Sequence, residues 1–439
     1  MRTPSRRAAA LAAAALCAAT VIAVPAGPAS AHGVPLGRRT LPAGDGWASA
    51  TTGTTGGAAA DAAHVFTVTT RAGLIAALNG ADPTPKIIYV KGVVDANTGD
   101  DGRRLTCADY ATGGYTLEGY LAAYDPAVWG RDSEPSGALE DARAASAARQ
   151  TARIKPKVGS NTTIVGLGRA VLKGFNLHVD KADNVIIRNI HFQDAYDCFP
   201  QWDPTDGADG NWNSLYDNVS VTGSTHVWAD HNTFDDGDNP DSAQPLYFGR
   251  PYQVHDGQLD ITNGSDLATV SWNRFADHDK TMLIGSTNNP ATDLGKLNVT
   301  VHHNVFDTVL QRAPRVRFGQ VHVYNNHYEV PDGAGYVYSL GVGVQSKIYA
   351  QDNFFKLGAA VPLSEIVYNW GGTAVHAEGS LVAQGHRVRA LDVLAAHNAA
   401  HDPDLSPDVG WTPTLHTRID PALVVPLTVP LLAGAGRLR

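Results

Sequence analysis

The chain has little cysteine, no excess of positive charge and only one long apolar run. Among its 439 residues there are 3 cysteines, and 34 Lys and Arg face 43 Asp and Glu, for a formal net charge of −9. An acidic surface argues against a nucleic acid or an anionic membrane as the partner. An anionic substrate stays open, provided that a metal ion or a local basic cluster meets it. Beyond the N-terminus, no apolar run approaches the ~18–20 residues that span a bilayer.

The first 31 residues lack acidic side chains and have the pattern of a secretory signal. Arg2, Arg6 and Arg7 precede an Ala-rich apolar run at residues 8–24, and Ala-Ser-Ala at residues 29–31 is typical of a cleavage site. We therefore predict that residues 1–31 form a signal peptide and that the mature protein is secreted and extracellular. A membrane anchor is the alternative, and the small residues after the apolar run favour cleavage.

Removal of this signal takes Cys17 away and leaves Cys107 and Cys198. In an oxidising compartment two surviving cysteines can form a disulfide. Two separate buried thiols are the alternative, and the spacing of the two residues does not decide between them.

The composition changes along the chain divide it into segments. Residues 32–63 are rich in Gly, Ala and Thr, which predicts a flexible N-terminal segment with no core to join. Residues 64–439 are expected to form one domain. Within it, residues 99–153 interrupt the strand-like rhythm with aromatic, acidic and helical stretches, and we interpret them as an insertion packed on the main body.

A loose repeat begins near Thr162. Short β-rich runs recur, and many close with Asn, one further residue and an aromatic; we assign comparable places to Asn189, Asn232, Asn273, Asn304, Asn326 and Asn353. Spacings near multiples of ~20 residues are typical of a β-solenoid, in which each coil stacks on the next. We expect the asparagines to form a hydrogen-bond ladder along the stack. A β-sandwich with asparagines in its turns is the alternative.

Acidic and basic residues lie close together between residues 256 and 328. This region contains HDGQLDI, DHDKTMLIGS and QRAPRVRFGQVHVYNNHY. Such a mixture beside short strands suggests one site that handles a negatively charged substrate through a divalent cation.

These motifs, together with VWADH at residues 227–231 and SWNRFADHDK, resemble those of polysaccharide lyase family 1, the pectate lyases of the bacterial secreted type. The resemblance covers the chain from about residue 65 onward. It implies an all-β fold: a single-stranded right-handed parallel β-helix with short helices and long loops on one face. It also implies Ca²⁺ dependence and cleavage of polygalacturonate by β-elimination.

The resemblance also implies roles for six residues. Asp217, Asp256 and Asp260 are the expected calcium ligands, since Ca²⁺ prefers carboxylate oxygens. Arg312 is the expected base that removes the C5 proton of a galacturonate ring. Lys280 and Arg317 are expected to bind the substrate carboxylate and to stabilise the charge that develops on it. We further expect Lys280, Arg317 and calcium to lower the pKa of Arg312, because like charge disfavours its protonated form.

Three other functions compete with this interpretation. A pectin lyase would act on methyl-esterified chains without calcium, and the intact acidic set disfavours it. A hydrolytic polygalacturonase would need paired carboxylates without this Lys and Arg set. A non-catalytic pectin-binding β-solenoid would have no need of the charged residues. We expect the protein to be a monomer whose partner is polygalacturonate, with no nucleic acid and no membrane.

Overall fold

Short parallel strands wound into successive coils make up most of the molecule. The computed structural model describes residues 34–438, and residues 36–438 belong to one compact unit. The predicted signal peptide lies outside the described residues. The strands, numbered β1 to β30 in chain order, are Val65–Val68, Lys86–Asp95, Lys157–Val158, Thr162–Lys173, Leu177–Asp180, Asp183–Arg188, His191–Gln193, Gln201–Asp203, Asn211–Asn213, Val219–Thr222, Thr225–Asp230, Thr233–Asp235, Leu246–Tyr247, Arg250–Pro251, Leu259–Thr262, Asp266–Ser271, Arg274–Lys280, Leu283–Ile284, Val299–His302, Val305–Gln311, Arg315–Val316, Gln320–Tyr324, His327–Val330, Leu340–Gly343, Lys347–Gln351, Phe354–Leu357, Val367–Trp370, Val375–Glu378, Leu381–Gln384 and Arg387–Ala390.

Helices are mostly short and lie between or outside the coils. The α-helices are Arg71–Leu78, Cys107–Tyr110, Leu117–Ala123, Ala138–Ile154, Pro290–Asp293, Val393–Asn398 and Val425–Leu432. Single 3₁₀ turns cover Leu36–Arg38, Trp47–Ser49, Ala62–His64, Asn79–Ala81, Asp241–Ala243 and Leu363–Ile366. None of the helices between residues 34 and 438 is both long and apolar enough to cross a membrane.

The coils present three strand faces. One face is an eight-stranded parallel sheet, here called the site sheet, with the spatial order β3-β5-β10-β15-β18-β21-β24-β27. The other two faces are joined into one sheet of eighteen strands, because the long strand β4 pairs with β2, β6 and β7. A β-sandwich would require antiparallel sheets. The parallel pairing of successive coils therefore confirms the right-handed parallel β-helix.

Stacked aromatic rings fill part of the core. Neighbouring rings lie 4.5–5.2 Å apart between centroids and are nearly parallel, and the stack contains Phe192, Phe234, Phe275, Phe306, Tyr328 and Phe355. Because each coil repeats the last, one aromatic per coil falls on the same line through the core.

An asparagine ladder runs beside this stack. Each side-chain amide donates to the Oδ1 atom of the next at 3.0–3.1 Å, and its members are Asn232, Asn273, Asn304, Asn326 and Asn353. The expectation that Asn189 belongs to the ladder is wrong. Its aromatic comes three residues later instead of two, so Ile190 takes the ladder position and donates its N–H to Asn232. Asn189 instead donates to the Gly166 carbonyl.

The structure differs from the expectation that residues 32–63 have no core to join. Ala48 and Ala60 are buried, and Ala48 packs with Ile186 and Trp228 of the β-helix. The backbone N–H of Ala48 donates to Thr269 at 3.1 Å. A Cβ atom at Gly57 would lie 1.9 Å from the Lys86 carbonyl oxygen. Glycine is therefore needed at position 57, because the segment lies flat on the sheet. The small residues that suggested a flexible linker instead allow this close packing.

Residues 99–153 pack on the main body through aromatic side chains, and their status as an insertion stays a prediction. Tyr120 of the third α-helix is fully buried against a cluster that includes Phe199, Trp202 and Trp212. A disulfide joins Cys107 to Cys198, so it links this insertion to the β-helix.

Candidate active site

Three aspartates converge at one edge of the site sheet. Asp217 lies two residues before β10, Asp256 lies three residues before β15, and Asp260 lies within β15, which pairs with β10. One carboxylate oxygen from each lies within 4.8 Å of the others, as the sequence predicted for a metal site. Asp217 and Asp260 are buried, whereas the Asp256 side chain is 33% exposed. The cluster therefore opens to solvent on the side of Asp256.

Backbone hydrogen bonds fix the two buried carboxylates. The N–H of Gly257 donates to Asp217 at 2.9 Å, and the N–H of Leu283 donates to Asp260 at 2.9 Å. The hydroxyl of Ser220 donates to the second oxygen of Asp217. A Cβ atom at Gly257 would lie 2.4 Å from an oxygen of Asp260 and 2.8 Å from one of Asp217. Glycine at this position leaves the space that the two carboxylates occupy.

The crowding of these carboxylates changes their acidity. Burial, aided by the charge of Asp256, raises the pKa of Asp217 to about 6. Burial and the charges of Asp217 and Asp256 raise the pKa of Asp260 well above its ordinary value. Neighbouring carboxylates repel one another unless a cation lies among them. A set of closely spaced carboxylate oxygens, two of them fixed by backbone hydrogen bonds, suits a hard divalent cation such as Ca²⁺.

Two cations approach the same aspartate. The Nζ atom of Lys280 lies 4.0 Å from Oδ1 of Asp256, and the Nη1 atom of Arg312 lies 3.8 Å from that oxygen. Lys280 ends β17 and Arg312 directly follows β20, which pairs with β17. Arg312 has a left-handed backbone conformation, with φ 58°, at the bend into β21. Five of the six predicted site residues therefore lie together.

Arg317, the sixth, lies one residue beyond β21. Its guanidinium donates to the side chain of Asn288 and to the Gly285 carbonyl, both at 2.8 Å. Burial and the charge of Arg312 lower the pKa of Arg317. The two guanidiniums are thus close enough to interact, although Arg317 does not contact the aspartates.

The lowering of the Arg312 pKa that is expected with calcium bound stays a prediction. Burial favours a lower pKa, but the carboxylates of Asp256 and Asp260 outweigh it, and the pKa of Arg312 is raised. The positive charges of Lys280 and Arg317 would lower the pKa of Arg312, but the carboxylates of Asp256 and Asp260 have the larger effect on it.

His278 is a residue to which the sequence interpretation gave no role in the site. Its Nε2 atom lies 2.7 Å from the Asp256 carbonyl oxygen, which can only accept, so Nε2–H donates. Its Nδ1 atom lies 2.8 Å from the buried carboxylate of Asp236. Burial opposes protonation, but the charge of Asp236 outweighs it and raises the pKa of His278. His278 thereby fixes the backbone at Asp256. Its only signal in the sequence was its place beside Lys280.

Comparison with known proteins identifies the family. The family model described as "Pectate lyase" matches residues 14–111 and 135–398. The pectate lyase of Bacillus subtilis (strain 168) is 48% identical over 417 residues, which cover 94% of this chain and 96% of that protein. The chain belongs to the pectate lyase family. Pectate lyase E of Dickeya chrysanthemi is a further relative of this lyase, 36% identical over 81% of this chain and 79% of that protein.

Solved structures of pectate lyases share the fold of this lyase. A thermostable pectate lyase superposes with a TM-score of 0.90 at 46% identity, over 92% of this chain and 100% of that chain. A pectate lyase bound to a hexasaccharide superposes with a TM-score of 0.87 at 47% identity, with the same coverage. The chain is therefore a polysaccharide lyase, which excludes the interpretation as a non-catalytic solenoid.

Proposed function

We propose that this lyase cleaves polygalacturonate by Ca²⁺-dependent β-elimination and releases unsaturated oligogalacturonates. The observation that carries the proposal is the convergence of Lys280 and Arg312 on Asp256, a member of the aspartate cluster. A polyanionic substrate would meet positive charge on one side and carboxylates on the other. The hexasaccharide bound to a related pectate lyase supports an oligosaccharide as the ligand of this chain.

Asp217, Asp256 and Asp260 would hold the calcium. When bound, Ca²⁺ offsets the negative charge of the aspartates and supplies coordination positions for substrate carboxylates. The solvent-facing side of Asp256 marks the direction from which the substrate would approach. An unesterified substrate follows from this assignment, since a methyl ester lacks the charge that a calcium site attracts.

Arg312 acts as the base. In its neutral form, the guanidine takes the proton from C5 of a galacturonate ring. The electrons of the C5–H bond form the C4–C5 double bond, the glycosidic C4–O bond breaks, and the departing oxygen takes a proton from solvent water. General base catalysis typically contributes about 10²–10⁴-fold. A guanidinium is ordinarily protonated at neutral pH, so the neutral form is scarce there.

Lys280 and Arg317 stabilise the charge that develops when the proton leaves. Loss of the C5 proton builds negative charge on the oxygens of the adjacent carboxylate, and cations fixed nearby lower the barrier. Arg317 is held by Asn288 and Gly285, so its guanidinium is oriented before the substrate binds. A guanidinium can donate two parallel hydrogen bonds to a carboxylate.

The N-terminal signal pattern supports export of this lyase from the cell. Export places it where extracellular polysaccharide is the substrate, and the two cysteines that remain after cleavage form a disulfide suited to an oxidising compartment. We propose that the exported enzyme acts as a monomer.

An absorbance assay for unsaturated product tests the function. Polygalacturonate and a methyl-esterified pectin are compared, each with added calcium and with a chelator. We expect product from polygalacturonate only when calcium is present, and restoration of the rate when calcium is returned. Equal rates on methyl-esterified pectin with chelator would overturn the proposal in favour of a pectin lyase.

A further inference from the structure

A small cavity lies on the face of the β-helix that contains β16, β19, β22 and β25. It has a volume of about 130 Å³, and two segments from opposite ends of the chain enclose it against the sheet, one at Trp47 and the other at residues 411–415. Its base consists of Thr300 on β19 and of Gln320 and His322 on β22. None of the six residues of the candidate active site lies on these strands. The cavity, here called the indole cavity, is therefore separate from that site.

The alternation of the strands directs the base residues away from the core. Val321 and Val323 belong to the hydrophobic core, so Gln320 and His322, which alternate with them along β22, face outward. Thr300 pairs with His322 in the register of the sheet. Two neighbouring coils thus hold these three polar side chains side by side on a regular sheet.

Two indole rings line the cavity above this base. The backbone N–H of Trp47 donates to Oγ1 of Thr300 at 3.0 Å, and Nε1–H of Trp411 donates to the Lys347 carbonyl at 3.0 Å. The ring centroids lie 6.0 Å apart, and the ring planes are inclined by 40°. Both tryptophans are half-buried. Hydrogen bonds from each segment to the sheet therefore hold the two rings in place beside the cavity.

Several polar groups around the indole cavity lack partners. His322 is 1% exposed, and neither of its ring nitrogens has a hydrogen-bond partner among the residues that the structure describes. The side chain of Gln351 favours the protonated form of His322 but is not within hydrogen-bonding distance. In the same part of the chain, the amide of Gln320 and Nε1 of Trp47 are also unpaired. A buried polar group without a partner is costly, and a ligand rich in hydroxyl groups would remove that cost.

None of the described residues that line the cavity carries a charge at neutral pH. Burial, followed by the charge of His416, lowers the pKa of His322 to about 3, so its ring is neutral. The other lining residues are Trp, Thr, Gln, Pro and Leu. A carboxylate would find no cation among them, and an unpaired buried charge is unfavourable. The indole cavity therefore suits a neutral ligand, in contrast to the charged active site.

We propose that the indole cavity is a second carbohydrate site, which binds one neutral pyranose unit. The indole rings pack against the apolar face of the sugar, and Gln320, His322 and Nε1 of Trp47 exchange hydrogen bonds with its hydroxyl groups. Aromatic rings suit this role because they offer an apolar surface next to polar edges. The cavity is far smaller than the ~300–1,000 Å³ that is usual for drug-sized ligands, so it takes a single ring and not a chain. The binding does not depend on the proposed function.

The test is a saturation-transfer NMR titration with methyl β-galactopyranoside and methyl α-rhamnopyranoside. We expect the wild type to bind at least one of them with a dissociation constant on the order of 1 mM, as befits a ligand of one ring. Trp411→Ala should weaken this binding by about tenfold or more, because it removes one aromatic surface. Gln320→Ala should weaken it by about threefold to tenfold through the loss of a hydrogen bond.

Trp129→Ala is the matched control. Trp129 is also half-buried and donates its Nε1–H to a backbone carbonyl, that of Ser133, but it lies in the segment 99–153. We expect this variant to bind the pyranosides as the wild type does. Thermal unfolding shows whether each variant folds. If Trp411→Ala fails to fold, Gln320→Ala decides.

Three results would overturn the proposal: a wild type that binds neither pyranoside, binding that is unchanged in both Trp411→Ala and Gln320→Ala, or tighter binding of cyclohexanol than of the pyranosides. The last result would mean a site for apolar rings. For trigalacturonate, kcat/KM should stay within about twofold of the wild type in both variants, because neither residue contacts the active site. A wild type without lyase activity would overturn the proposed function alone, since the titration needs no turnover.

Discussion

At the scale of single residues, Asp260 combines a functional role with a cost to stability. Its pKa is raised by burial and by the neighbouring carboxylates, so the folded state holds its proton more tightly than the unfolded chain does. The stability that this group contributes is therefore complete at low pH and is lost as the pH rises through its folded pKa. Above that pKa, in the absence of calcium, the ionised group destabilises the fold.

We predict that Asp260→Asn raises the free energy of unfolding in chelator at about pH 8 by about 1–3 kcal/mol. The amide keeps an acceptor for the Leu283 N–H and removes one negative charge. The gain should disappear at about pH 4, where the wild-type group is protonated. Urea unfolding at the two pH values measures both effects. A variant less stable than the wild type in chelator at the higher pH would contradict this account of the cluster.

Arg312 gives a second prediction at this scale. A guanidinium is ordinarily protonated, so only a small fraction of Arg312 is neutral near pH 7, and that fraction grows with pH. With calcium saturating, kcat/KM should rise from about pH 7 to about pH 10, by up to tenfold per pH unit. A pH–rate profile that stays flat over this range would indicate another base.

The sequence was a good guide to which residues meet, because Asp256, Asp260, Lys280 and Arg312 lie in motifs of neighbouring coils. It was a poor guide to their electrostatics. The direction of the pKa shift of Arg312 depends on which charges are nearest, and the 3.8 Å approach to Asp256 is set by the bend after β20. The spacing of residues in the sequence does not predict that distance.

At the scale of the element, the asparagine ladder links the coils from Asn232 to Asn353. Asn304 donates to Asn326 and to the Val270 carbonyl, and it accepts from the backbone and side chain of Asn273. All of these groups are buried, so removing the amide leaves several of them without partners. We predict that Asn304→Ala lowers the free energy of unfolding by about 2–4 kcal/mol.

Chemical denaturation measures this loss, with Asn213→Ala as the control, because Asn213 is half-buried and lies outside the ladder. A loss no greater than that of the control would mean that the ladder adds little. The sequence predicted the asparagine ladder because an Asn followed two residues later by an aromatic recurs from coil to coil. The error at Asn189 arose because one additional residue before Phe192 shifts the ladder position by one.

At the scale of the whole molecule, the disulfide joins two parts of the fold that are 91 residues apart in the chain. A cross-link stabilises mainly by restricting the unfolded chain, typically by about 2–4 kcal/mol. We predict that the double variant Cys107→Ser, Cys198→Ser loses about this amount and keeps its activity. Thermal unfolding with and without reductant checks it. Equal stability of the variant and the oxidised wild type would contradict the prediction.

The packing of residues 36–63 was beyond prediction from the sequence. Their Gly, Ala and Thr residues have the composition of a linker, and only the sheet that they cover gives that composition a structural reason. Gly57 lies against Lys86, which is close in the sequence, whereas Ala48 bonds to Thr269, which is far from it in the sequence. The local sequence pattern therefore predicted the repeating coils well, but it predicted poorly the packing of residues 36–63 on them.

The most direct test of the central claim is the rate of unsaturated-product formation by Arg312→Ala, measured with saturating calcium beside the wild type. Oligogalacturonate binding is measured on the same preparations. We predict that kcat falls by about 10²–10⁴-fold, while the affinity changes only a few-fold and the thermal unfolding temperature is preserved. A variant that folds, binds substrate and turns over at the wild-type rate would contradict the claim that Arg312 removes the proton.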